Sequence, residues 1–154
     1  MTDIQIIEVR TREEAEKALS EGNGIRIMAG AFALSLVNTS APIIVQGDAC
    51  PHIVTWGTSA PRIETRGTSA PHIVTWETSA PHIVTWGTSA PRIETRETSA
   101  PRIETRGTSA PRIETWGTSA PRIETRGTSA PRINDSDNPV PLIFLTGFRW
   151  QINI

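Results

Sequence analysis

The chain reads as a mainly β protein, a parallel β-solenoid with ten residues per repeat, and two observations predict it. Nine prolines, Pro51 through Pro131, recur at an unbroken ten-residue spacing inside a near-identical decapeptide. Within each copy, as in Arg62-Ile63-Glu64-Thr65-Arg66, character alternates with period two, the mark of a half-buried strand. A ten-residue period is too short for a helical repeat, whose units run to about 20 residues or more. It suits one rung, or half of one rung, of a solenoid stacked along a single axis.

Within one decapeptide each residue has a place. Pro61 fixes φ and lacks an N–H, so it belongs at a corner; it also pushes Ala60 toward extended geometry. Ile63 and Thr65 point inward, and Arg62, Glu64 and Arg66 outward on an exposed face, because an unpaired buried charge is costly. Gly67 marks a second corner. Glu77 and Glu97 fill that corner elsewhere, so a positive φ is not expected to be required. Thr68-Ser69-Ala70 forms the short opposite side, with Thr68 and Ala70 expected to join the inward set.

Two closures fit, one repeat per coil or two, the latter giving a four-sided coil like that of pentapeptide-repeat proteins. The inward residues are small and the variable positions show no period of twenty, which favours one repeat per coil. At ~4.8 Å per rung, Pro51–Pro131 would then span about 40 Å, and half that with two.

Around the array, three segments separate. Residues 1–36 form a small α/β N-terminal cap. Ile4, Ile6, Ile7 and Val9 suggest a strand. Thr11-Arg-Glu-Glu14 is a capping box that opens a short helix, which Gly22-Asn23-Gly24 ends. Ile25–Leu36 returns as strand, bent at Gly30. Residues 37–132 are the repeats, with degenerate first copies in which Pro42 and Pro51 are nine apart. Residues 133–154 are a C-terminal cap or assembly strand. Leu142–Leu145 is followed by a turn at Thr146-Gly147, and Phe148–Ile154 alternates strictly. That last segment folds back as a hairpin on Leu142–Leu145, or adds as a strand to a neighbouring copy, giving a homo-oligomer by end-to-end strand addition.

Composition narrows the function classes. Hydrophobic residues make up 37% of 154, with no Tyr and three Phe, so stability rests on many aligned contacts rather than one thick core. Such a polar middle could be disordered, but an Ile at one repeat position without exception from Ile53 to Ile133 argues for a folded array. The formal charge is −1, and residues 51–132 hold ten Arg against seven Glu. No membrane span and no signal peptide is visible; the compartment is not fixed by the sequence, and export by a route with no classical signal, to an extracellular or virion-associated location, stays open. The single cysteine, Cys50, excludes an internal disulfide framework.

Stacking sets identical positions in columns. The first outward column holds His or Arg, the second Val or Glu, and the third Trp56, Arg66, Trp76, Trp86, Arg96, Arg106, Trp116 and Arg126. Each His rung carries Val and each Arg rung carries Glu. With one repeat per coil, Arg66 lies between Trp56 and Trp76, and Arg106 and Arg126 beside Trp116, where guanidinium stacks on indole. That third column is the candidate binding site, a ladder able to hold an extended polyanion or glycan. The interleaved Glu disfavours nucleic acid. The Thr-Ser-Ala side raises an ice-binding solenoid as a further reading, against which Thr58 and its equivalents are expected to point inward.

Catalysis has thin support. Asp48, Cys50 and His52 sit close in sequence, but each fills a repeat position, with Cys50 at the Ala60 place as a small core or corner residue. His72 and His82 on adjacent rungs are too few ligands for a closed metal site. The expectation is no enzyme, no catalytic residues, no metal and no cofactor.

The unit Trp/Arg-Gly/Glu-Thr-Ser-Ala-Pro-Arg/His-Ile-Glu/Val-Thr, over residues 37–132, resembles decapeptide tandem-repeat β-solenoid arrays of bacteria and phages, with Gly-Ser-Ser-x-Pro and Val-Glu-Ala-Trp/Arg units. The resemblance implies a structural solenoid on a virion or cell surface, a self-assembling filament or part of an appendage, and supplies no site residues.

Overall fold

A computed structural model of the chain describes residues 4–135, 142–145 and 151–153, with side chains through Asn134. It is a parallel β-solenoid of two facing sheets. Strands β1 (Ile6–Val9), β2 (Gly24–Ile27), β4 (Ile43–Val45), β6 (Arg62–Thr65), β8 (His82–Thr85), β10 (Arg102–Thr105), β12 (Arg122–Thr125) and β14 (Leu142–Leu145) make sheet A in that order. Strands β3 (Ala33–Val37), β5 (His52–Trp56), β7 (His72–Thr75), β9 (Arg92–Thr95), β11 (Arg112–Thr115), β13 (Arg132–Asp135) and β15 (Gln151–Asn153) make sheet B.

The register corrects the coil length. Ile63 pairs with Ile83, and Ile73 with Ile93, so a coil is two decapeptides and alternate copies lie on opposite sheets. Pro51–Pro131 is therefore four coils, about 19 Å at ~4.8 Å each. The small inward set that favoured a thinner coil is accommodated because two copies face each other and fill one interior.

That interior is Pro, Ile, Thr and Ser. The isoleucines from Ile53 to Ile123 have no exposed surface, and Ile133 has 2%. The inward member of the short side is Ser69, fully buried, while Thr68 and Ala70 are exposed. An outward Thr68 leaves its neighbour Ser69 to face the core, and a buried hydroxyl there needs partners. Thr of one coil meets Ser of the next: Thr65 Oγ1 donates to Ser89 Oγ at 3.0 Å, and Thr85 Oγ1 to Ser109 Oγ at 2.9 Å. The same pairing recurs from Thr55–Ser79 to Thr105–Ser129.

The second corner is left-handed at every copy. Gly67 has φ 70 and Gly107 φ 71, and Glu77 and Glu97 adopt φ 58 and 57 there despite their side chains. A positive φ is thus required, and the two glutamates carry strain that glycine avoids. Glu77 recovers part of it, since its carboxylate accepts from the Gly57 N–H of the preceding coil at 2.9 Å.

At the start, the two ladders already run through residues 6–37, with β1 on β2 and β3 on β5. Helix α1 (Arg12–Ser20) has the expected capping box at Thr11 and Glu14. It buries Ala15 and Ala18 in the common core and packs on β1, β2 and β3. Gly30, at φ 100, divides the expected Ile25–Leu36 strand into β2 and β3. Near the other end, β14 pairs parallel with β12 and β15 parallel with β13. No hairpin joins them; each continues its own sheet. The Thr146-Gly147 turn and Phe148–Trp150 lie outside the described residues.

Candidate functional site: the outward columns

With twenty residues per coil, each outward column divides in two. On sheet B the third column runs Trp56, Trp76, Arg96, Trp116; on sheet A it runs Arg66, Trp86, Arg106, Arg126. The expected Arg66 sandwich between Trp56 and Trp76 is therefore not formed. Those two indoles stack on each other at 5.2 Å and 7°. Arg96 lies 4.9 Å from the Trp76 ring centre and 5.8 Å from that of Trp116. Arg106 covers Trp86 at 4.6 Å, not Trp116. Ring and guanidinium planes thus face along the solenoid axis, each on its neighbour, in the geometry that cation–π attraction favours.

The second column is outward but not exposed. Glu94 and Glu104 are 4% exposed, and Val84 is fully buried. Long flanking side chains roof this column over, so a carboxylate there must be paired. Glu104 takes Arg106 and Arg102 of its own coil, and Glu94 takes Arg96 and Arg92. A second link runs between coils, from column one to the Glu twenty-two residues later. Arg92 Nη2 donates to Glu114 Oε2 at 3.0 Å, and His72 Nε2 lies 2.9 Å from Glu94 Oε1. His82 is placed on both sides: Arg62 Nη1 is 3.3 Å from its Nδ1, and Glu104 Oε1 is 2.9 Å from its Nε2. Arg can only donate, so Nδ1 accepts and Nε2–H donates to Glu104.

These contacts set the carboxylate electrostatics. Burial pushes Glu104 upward, but hydrogen bonds from Arg106 and His82 and the charges of Arg106 and Arg102 outweigh it, holding the carboxyl down at about 2. Glu94 is lowered by the same balance, with Arg96 and His72 as its hydrogen-bond partners. Glu64 is lowered between Arg66 and Arg62.

The other candidates separate. His72 lies on sheet B and His82 on sheet A, so they do not approach a common ion; the His72 ring stacks on His52 instead, at 4.6 Å and 6°. Cys50 is exposed at its corner rather than in the core, its Sγ 3.2 Å from the Asp48 carbonyl. Thr58 and its equivalents are exposed, not inward. Their hydroxyls serve the backbone of the preceding coil, Thr88 Oγ1 donating to the Gly67 carbonyl at 3.1 Å. Among the described residues no three His, Cys, Asp or Glu side chains gather as a metal site. Nor is any described helix long and apolar enough to cross a membrane.

Sequence reasoning missed the cross-coil His–Glu and Arg–Glu links because they depend on coil length. The pairing of His with Val and Arg with Glu within a copy, from His52 to Arg122, did not reveal them, because each link reaches a glutamate two copies ahead. No protein-family model, curated protein or solved structure matches the chain.

Proposed function

We infer that this protein is a non-enzymatic structural solenoid that associates end to end with its own copies, as a filament or part of a surface or virion appendage. The observation that carries the reading is the direction of its side-chain chemistry. Charges and π faces bind the next coil, as in Arg92–Glu114, His82–Glu104 and Trp56–Trp76. Such links stiffen an axis. The described ends of the sheets also bear on it: β14 and β15 each have one described neighbour. A strand with one neighbour offers a row of backbone donors and acceptors to another chain.

Sedimentation velocity over a range of protein concentrations, with negative-stain images of the same samples, tests this reading. Full-length protein is expected to form rods that lengthen with concentration, and protein lacking residues 148–154 to sediment as monomer. A full-length protein that stays monomeric at high concentration overturns the proposal.

A further inference from the structure

Trp86 and Arg66 occupy the same column on adjacent coils of sheet A, but they do not continue the stack seen on sheet B. One face of Trp86 carries Arg106. Toward the other lies Arg66, whose Nε and Nη2 both donate to Glu64 Oε2 of its own coil. A groove of about 390 Å³ opens there, lined by Arg66, Gly67, Trp86 and Gly87. Its size is at the low end of small-molecule sites, enough for one ring rather than a long ligand.

Its chemistry is specific. The corners beside it are glycines, where sheet B carries Glu77 and Glu97 in the equivalent column, so this floor has neither side chains nor negative charge. Trp86 is 37% exposed, and the electron-rich indole face attracts the polarised C–H face of a saturated sugar ring. Of the five N–H groups of a guanidinium, two of those of Arg66 go to Glu64, which leaves donors for a ligand carboxylate. A cationic ligand is repelled by Arg66.

We propose that this groove binds one sugar ring bearing a single carboxylate, the uronic-acid residue of an acidic glycan. The site is independent of end-to-end association, since it lies on the wall of the solenoid.

Titration calorimetry of the full chain with trigalacturonate, galactotriose and a thymidine decanucleotide tests it. Trigalacturonate is expected to bind. Arg66→Gln should weaken it at least tenfold, and so should Trp86→Arg, a residue that this column already holds at Arg66 and Arg106 and that the fold accommodates. Glu97→Gly, at an exposed corner beside the opposite sheet, should leave it unchanged. Thermal melts of each variant separate lost binding from lost structure. Absence of trigalacturonate binding, equal binding of galactotriose, tighter binding of the decanucleotide, or indifference to Arg66→Gln in a folded variant each overturns the proposal.

Discussion

Thr65 and Ser89 stand twenty-four residues apart in sequence, yet their hydroxyls meet at 3.0 Å inside the solenoid, with neither residue exposed. The interior is thus partly a hydroxyl ladder. Where the chain itself replaces the threonine by Val45, Ser69 turns to the Val45 carbonyl instead, at 3.5 Å.

Removing one partner should therefore cost more than removing both. Ser89→Ala leaves the Thr65 hydroxyl buried without its acceptor and is expected to destabilise by about 1–3 kcal/mol. The double variant Thr65→Val with Ser89→Ala should recover much of that loss. Urea unfolding of the parent protein and the two variants checks it, and a double variant no more stable than Ser89→Ala would contradict the ladder.

Charge placed in the isoleucine column should be far more damaging. Ile103 is fully buried between Ile83 and Ile123, so Ile103→Asp introduces an unpaired interior carboxylate worth several kcal/mol. Loss of the β signal in circular dichroism is the expected result; a native-like melt would refute the packing.

Acid should loosen the coil contacts. Glu104 has a folded pKa of about 2, below its ordinary 4.5. Its contribution is complete above the unfolded value and is lost as pH falls from about 5 through 2. At ~1.4 kcal/mol per unit the contribution is on the order of 3 kcal/mol. Arg106→Gln removes a partner and should move the acid transition to higher pH. Melting temperatures from pH 7 to pH 2 for both proteins decide the matter, and coincident curves would speak against Arg106.

Strain at the left-handed corner gives a change in the opposite direction. Glu97 holds φ 57, and a side chain there costs about 1–2 kcal/mol, partly offset by the greater unfolded freedom of glycine. Glu97→Gly is expected to stabilise by up to about 1 kcal/mol, read from denaturant midpoints.

At Cys50 the expectation is silence. The thiol is exposed at the corner that alanine fills in other copies, so Cys50→Ala should leave stability within about 0.5 kcal/mol. A large change in the denaturation midpoint would mean that the thiol has a structural task.

The solenoid was legible in the sequence because Ile63, Thr65 and their equivalents repeat a local alternation, and local patterns survive in any closure. The helix was legible for a similar reason, since Thr11 and Glu14 cap within one turn. Coil length was not. Near-identical decapeptides carry no mark of a twenty-residue period, and the third column repeats with none. Everything that depends on which copy lies above which was lost with it, including the Trp56–Trp76 stack and the reach of His82 to Glu104. The roofing of Glu94 and Glu104 was hidden for another reason. Period-two alternation says which way a side chain points, not whether long neighbours close over it. For the candidate ladder, the division of its residues between two walls and the open face of Trp86 needed coordinates.

Two decapeptides make one coil, and this gives the copy number a parity. Inserting a pair of repeats extends the axis by one coil, ~4.8 Å, and every downstream strand keeps its wall. Inserting a lone repeat sends all downstream strands round to the opposite wall. The interior would not register the difference, because the Pro, Ile, Thr and Ser of every full copy are the same. The surface would, because His72, His82, Arg92 and Arg102 each bond a glutamate twenty-two residues ahead. Odd and even length variants would thus share a fold and differ in their coil-to-coil wiring.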